Sequence, residues 1–156
     1  MTVRFACEED IPQMNSLLYQ VERVHQQGRP DLFKEGAKKY TDNELKAMLK
    51  DKTKPIFAAV DENDVMKGYA FCVFQEHKGD NVLTDIKTLY IDDLCVDENC
   101  RGQHIGSVLY EAVKKFAKEQ GCYNVTLNVW ECNPSARKFY EKAGLKPYKT
   151  GMEVIL

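Results

Sequence analysis

The sequence predicts an α/β fold built as one domain over residues 1–156. Three observations carry that reading. The middle of the chain holds three strand-like runs joined by short polar turns, which predicts an antiparallel meander. The last third holds a strongly amphipathic helix followed by an alternating strand pattern. No internal repeat, low-complexity tract or Pro/Gly-rich linker divides the chain.

The elements follow in order. Val3 to Ala6 is a short strand candidate. Asp10 offers an N-cap with Pro12 in the first turn, and Ile11, Met14, Leu17, Leu18 and Val21 recur at helical spacing. Gly28-Arg29-Pro30-Asp31 stops that helix. Thr41-Asp42-Asn43-Glu44 is a capping box opening a short helix with Leu45, Met48 and Leu49 on one face. Ile56–Val60, Val65–Gln75 and Thr84–Val96 are the three strand runs, separated by Asp61–Asp64 and Lys78–Asn81. Ile105, Val108, Leu109, Ala112, Val113, Phe116 and Ala117 mark the amphipathic helix, with Gly121 beyond its end. Val125, Leu127 and Val129 alternate as a strand. Asn133-Pro134 caps a helix carrying Ala136, Phe139, Tyr140 and Ala143, stopped by Gly144; Met152 to Leu156 reads as a final strand.

Composition narrows the class. With 44% apolar and 29% charged residues, the chain is neither disordered nor a disulfide scaffold, and a chain of this length buries roughly 70% of its unfolded surface. A net charge of −2 excludes the basic excess of a dedicated nucleic-acid binder. No apolar run reaches the ~18 residues of a membrane span. The N-terminal residues lack a signal-peptide apolar segment and turn acidic at Glu8. The expectation is a cytoplasmic protein with no nucleic-acid or membrane partner. Its six cysteines contain no C-x-x-C and do not cluster with the three histidines, so they are read as reduced thiols, with no metal expected.

Two segments carry chemistry. Asp97-Glu98-Asn99-Cys100-Arg101-Gly102-Gln103-His104-Ile105-Gly106-Ser107 feeds from a strand through a glycine-containing turn into a helix. The first N–H groups of such a helix lack intrahelical acceptors and favour an anion. The second segment runs from Trp130 through Asn133, Ala136, Phe139 and Tyr140 to Gly144 and Leu145. Together they resemble the GNAT superfamily of acyl-CoA-dependent N-acyltransferases, most specifically over residues 88–148. That family carries Arg/Gln-x-x-Gly-x-Gly/Ala after its fourth strand, here Arg101 to Gly106, and further on Asn-x-x-Ala-x-x-Phe-Tyr-x-x-x-Gly. One departure is His104, where the family usually has Gly. It is expected in the first helical turn, where a side chain need not be strained.

The resemblance implies a mixed, mostly antiparallel twisted sheet of six to seven strands with about four helices, its fourth and fifth strands splayed around acetyl-CoA. It implies cofactor contacts from Leu94, Cys95, Val96, Arg101, Gly102, Gln103, His104, Ile105, Gly106, Ser107, Asn133, Ser135, Ala136 and Tyr140. It implies a catalytic role for Tyr140, as the acid that protonates the departing thiolate. An alkylammonium, with a pKa near ~10.4, must lose a proton before it attacks a thioester, so a base is needed. Asp92 and Asp93 are the candidates, and adjacent strand residues face opposite ways unless a bulge intervenes. The segment looks like the corresponding strand of diamine acetyltransferases, which ranks Asp92 above Asp93. Asp31, between the first two helices, is a further acid on the acceptor side. A covalent route through Cys95 lacks a neighbouring histidine to activate the thiol. The expected activity is acetyl transfer to a primary amine of a small cationic acceptor, polyamine-like or aminoglycoside-like. The alternatives are a protein or peptide amine as acceptor, or a non-catalytic acyl-CoA sensor. A homodimer is the family-level expectation.

Overall fold

In the computed structural model, which describes residues 1–156, the elements are β1 (Thr2–Phe5), α1 (Ile11–Gly28), α2 (Asp42–Leu49), β2 (Ile56–Val60), β3 (Met66–Glu76), β4 (Lys87–Val96), α3 (Ile105–Glu119), β5 (Asn124–Leu127) and α4 (Pro134–Lys142). The five strands form one sheet in sequence order. β1 to β4 are antiparallel neighbours, and β5 lies parallel to β4 because α3 carries the chain back over the sheet. The meander turns are tied by aspartates: Asp61 Oδ1 accepts the Asn63 and Val65 N–H groups, and Asp80 Oδ1 those of Val82 and Leu83.

The expected capping box forms at α2, where Thr41 Oγ1 accepts the Glu44 N–H at 3.2 Å and the Glu44 carboxylate accepts the Thr41 N–H at 2.7 Å. Asn133 caps α4 through the Ala136 N–H at 3.2 Å. Asp10 precedes α1 as expected, but its side chain does not cap that helix. It is 4% exposed and accepts both guanidinium nitrogens of Arg4, at 2.8 and 3.0 Å, together with the Cys7 N–H. Burial opposes the charge, but Arg4 and the Cys7 contacts outweigh it and hold the Asp10 carboxyl below its ordinary range. The residue pins β1 to the start of α1.

Each sheet face has its own core. Met14, Leu17 and Leu18 of α1 and Leu45 of α2 pack on Tyr69, Phe71 and Cys95. Ile105, Leu109, Val113 and Ala117 of α3 pack on the opposite face against Ala59, Ala70 and Leu89.

The sheet has five strands, not six to seven. Met152–Leu156 is not a strand: backbone hydrogen bonding within the chain ends with the Leu145 N–H on the Tyr140 carbonyl, and Met152 and Val154 are 94% and 80% exposed. Its apolar alternation meets no neighbour in the chain. The fifth strand also stops at Leu127, short of Val129. The cause lies in β4. Phe71 pairs with Asp93 and the next residue, Cys72, pairs with Ile91, so Asp92 is an extra, bulged residue. The bend ends the parallel pairing at Ile91 and Leu127, and the two strands part beyond it.

Candidate active site

The bulge decides which way the two aspartates face. Ile91 packs with the α3-side core and Cys95 with the α1-side core. With Asp92 as the extra residue, the alternation resets, and both carboxylates turn toward the α1–α2 side. Their surroundings differ. Tyr69, itself fully buried, donates its hydroxyl to Asp93 Oδ2 at 2.7 Å. Burial pushes the Asp93 carboxyl up to about 6, against the lowering effects of Tyr69 and Lys39. Asp92 Oδ2 instead accepts the Tyr40 hydroxyl and the Lys39 ammonium, the latter at 2.9 Å. Asp93 is thus a carboxylate poised to take a proton near neutral pH, whereas Asp92 is held in an ion pair.

Beyond Ile91, the β4 edge that would face β5 is unpaired, so Leu94, Cys95 and Val96 present backbone groups to whatever enters the gap. The Cys95 side chain points away from it, into the α1-side core with Sγ 3.5 Å from the Leu17 carbonyl. Burial pushes its thiol up to about 12, which disfavours the thiolate a covalent route needs.

The same edge runs into the anion loop. From Arg101 through Ser107 the backbone N–H groups have no acceptor in the chain, and the next, that of Val108, bonds the His104 carbonyl. This is the arrangement that receives a phosphate at a helix N-terminus. Two contacts from α1 hold the approach to the loop: Gln20 Oε1 accepts the Glu98 N–H at 2.9 Å, and Arg23 pairs with Glu98 at 2.5 Å. His104 is not in the first helical turn as expected. It is the N-cap of α3, with φ 61° and ψ 13°, in the left-handed region. That conformation accounts for the glycine usual there, since a Cβ is penalised at positive φ. Gly106 follows inside α3. A Cβ there would lie 3.3 Å from the Phe139 ring, so this glycine also sets how closely α4 approaches α3.

Tyr140 comes from α4. Burial first, then the charge of Asp93, pushes its hydroxyl well above the usual phenol range, which keeps it a proton donor. Asn133 spends its Oδ1 on the helix cap, Ala136 lies behind it, and Ser135 is exposed. The segment before α4 is seated on α1: a Cβ on Gly28 would lie 2.7 Å from Cys132 Sγ, and Phe33 packs between His25, at a tilt, and Trp130, edge-on, with ring centroids 5.2 Å apart on each side. Asp31 is bound to Arg29, which also pairs with Glu153. Sequence reasoning missed Lys39, Tyr40 and Tyr69. No motif surrounds them, and their contacts to β4 cross 53, 52 and 24 positions of sequence.

A sheet open beyond Ile91 between its fourth and fifth strands, with an unpartnered run of amides at its foot, is the arrangement that the resemblance to the GNAT superfamily implies. Residues 18–145 match the acetyltransferase (GNAT) family. The chain belongs to that family. Among curated relatives, a probable glucosamine 6-phosphate N-acetyltransferase 2 from Oryza sativa subsp. japonica is 36% identical over 58 residues, which is 37% of this chain and 33% of the relative. The match therefore spans about a third of that relative's length. The crystal structure of a mutant of the BH1408 protein from Bacillus halodurans is similar throughout, with a TM-score of 0.95 and 28% identity over 100% of this chain and 99% of that one. An aminoglycoside acetyltransferase from an uncultured soil metagenomic sample, in complex with sisomicin, shares the fold at a TM-score of 0.74 and 20% identity, covering 99% of this chain and 94% of that one.

Proposed function

We propose that residues 1–156 form one catalytic domain that transfers acetyl from acetyl-CoA directly to a primary amine of a small cationic acceptor, polyamine-like or aminoglycoside-like. The observation that carries the reading is the β4 bulge, which sets Asp93, with a carboxyl pushed up to about 6, beside the open strand edge. The pyrophosphate rests on the amides from Arg101 to Ser107, with the side chains of Arg101 and Gln103 flanking it. The pantetheine arm lies along Leu94, Cys95 and Val96, bordered by Asn133, Ser135 and Ala136. Asp93 accepts the ammonium proton, directly or through water, and the freed amine attacks the thioester carbonyl. A C–N bond forms, the C–S bond breaks, Tyr140 gives its proton to the departing thiolate, and the tyrosinate takes back, directly or through water, the proton that the acylated nitrogen loses to become the amide. Asp93 thus takes the base role that the sequence ranked first at Asp92, because Asp92 already holds an ammonium and a phenol. An amino-sugar phosphate or an aminoglycoside, the acceptors in the names of the relative and the structural neighbour, fits the same chemistry.

The test mixes protein, acetyl-CoA and a panel of polyamines, aminoglycosides, glucosamine 6-phosphate and peptide amines, and follows thiol release. Turnover on small amines, fastest on polyamino compounds and absent on peptide amines, is the expected result. CoA binding without turnover on any amine would instead make the chain an acyl-CoA sensor. A homodimer belongs to the same proposal. It is supported by the exposed apolar residues Met152, Val154 and Ile155, which a second copy would cover, and light scattering at micromolar concentration tests it. All six cysteines are free thiols, in keeping with a reducing, cytoplasmic setting.

A further inference from the structure

The acceptor side of this site already contains an ammonium, and it belongs to the chain itself. Lys39 lies in the irregular segment between α1 and α2. Its Nζ is 2.9 Å from Asp92 Oδ2 and 3.4 Å from the Asp92 carbonyl oxygen, and 5.6 Å from the centroid of the Tyr40 ring. A carboxylate, a carbonyl and an aromatic face are the groups that hold a primary ammonium. The cradle is built rather than incidental. Tyr40 donates its hydroxyl to the same carboxylate oxygen, and its ring packs on Phe71 of the sheet at 5.6 Å. The Asp92 side chain is 22% exposed, whereas that of Lys39 is 34% exposed and hangs from a segment outside any helix or strand. Asp92 stands on β4, and Tyr40, though next to Lys39 in the same irregular segment, is anchored by its ring on Phe71, so the part free to leave is the Lys39 side chain.

We propose that Asp92, its carbonyl and Tyr40 bind a second, non-reacting ammonium of the acceptor, and that Lys39 is a tethered competitor seated there until an acceptor displaces it. The inference rests on the reading that the reacting amine meets Asp93. The bulge turns both carboxylates to one face, so an acceptor with two amino groups places one at Asp93 and the other at Asp92. A monoamine uses only the first position and has nothing to gain from displacing Lys39. Partly exposed ion pairs are weak, so Lys39 yields at modest cost while lowering the affinity for diamines. The residue thereby sets the selectivity between diamines and monoamines.

The experiment compares 1,4-diaminobutane with 1-aminobutane in wild type, Lys39→Met, Lys39→Gln and Lys39→Arg. The ratio of kcat/KM values, diamine over monoamine, should rise about threefold to tenfold in the Met and Gln variants. It should stay at the wild-type value in Lys39→Arg, which keeps a cation on the tether. Asp92→Asn should lower the ratio. A ratio that is unchanged or falls in both Lys39→Met and Lys39→Gln overturns the proposal; a fall would make Lys39 a ligand for the acceptor. If neither amine is acetylated, the function is misread, and the same comparison is made on calorimetric Kd values with CoA present. Tighter 1,4-diaminobutane binding in Lys39→Met then supports the competitor role independently, and unchanged binding overturns it.

Discussion

The two parts of this molecule are packed differently. The 26 buried residues run from Asp10 to Ala117, and all but Asp10, just before α1, lie in the frame made by α1, α2, α3 and the strands β2 to β4. Beyond Ala117 no residue is buried: the four positions of β5 are half-exposed, α4 buries none, and the segment after Leu145 makes no backbone hydrogen bond in the chain. The proposed site draws on both. The frame supplies Asp92, Asp93, the open β4 edge and the amide loop, whereas the sparsely packed third supplies Asn133 and Tyr140. A carboxyl that must stay near 6 needs fixed, desolvated surroundings, and these come from the frame. The Tyr140 hydroxyl is desolvated too, but it stands on a helix with no fully buried position. Local stability follows buried apolar contact, so the two halves of the proposed chemistry should differ in how they respond to substitution.

The largest expected effect tests the sparsely packed part. Tyr140→Phe keeps the ring and removes the hydroxyl, so kcat should fall by ~10²–10⁴-fold while CoA affinity and Tm stay close to wild type. Near-normal kcat with chemistry rate-limiting would make Tyr140 a packing residue only. Urea unfolding sharpens the contrast in stability. Leu109→Ala, at a fully buried position of α3, should cost about 2–5 kcal/mol, and Phe139→Ala, on partly buried α4, about 1 kcal/mol. Equal costs would dissolve the distinction.

A smaller effect belongs to the frame and has a definite pH sign. The folded-state pKa of Asp93 is raised from 3.8 to about 6, so folding penalises its ionised form. That penalty is absent below about pH 4, grows through the interval and is complete above about pH 6. Asp93→Asn should therefore stabilise the protein by about 1–3 kcal/mol at pH 8 and by almost nothing at pH 4, measured by urea midpoints at each pH. The smallest effect lies at the loop. His104→Gly relieves a left-handed residue and should add about 0.5–1 kcal/mol with CoA affinity kept or tightened. A large loss of CoA affinity would show that the imidazole itself is a ligand.

What could be read in the sequence was local. The capping box at Thr41, the apolar stripe of α3 and the Asn133 cap depend on residues three or four positions apart, and all of them formed. The order of the two motifs likewise located the amide loop and α4. What escaped depended on long-range pairing. Two adjacent aspartates left open whether a bulge intervenes, and only the register against β3 puts Asp92 out of line. The Asp10 pattern matched a cap, but Arg4 competes for the same carboxylate from across the turn. The alternation over Met152–Leu156 reads as a strand, yet a strand needs a neighbour, and the chain offers none. The φ of His104 is set by how the loop enters α3, which a helical pattern starting at Ile105 does not reveal.

The central claim is that Asp93, rather than Asp92, takes the proton from the acceptor. It is tested most directly by the pH dependence of kcat/KM for one small primary amine, from pH 5 to 8, in wild type, Asp93→Asn and Asp92→Asn. The wild-type profile should rise with pH through an acid limb centred near about 6, where the Asp93 carboxyl ionises. Asp92→Asn should retain that limb. Asp93→Asn should lose it and fall by ~10²–10⁴-fold on the plateau. A limb that persists in Asp93→Asn and disappears in Asp92→Asn would contradict the account and return the base to the bulged residue.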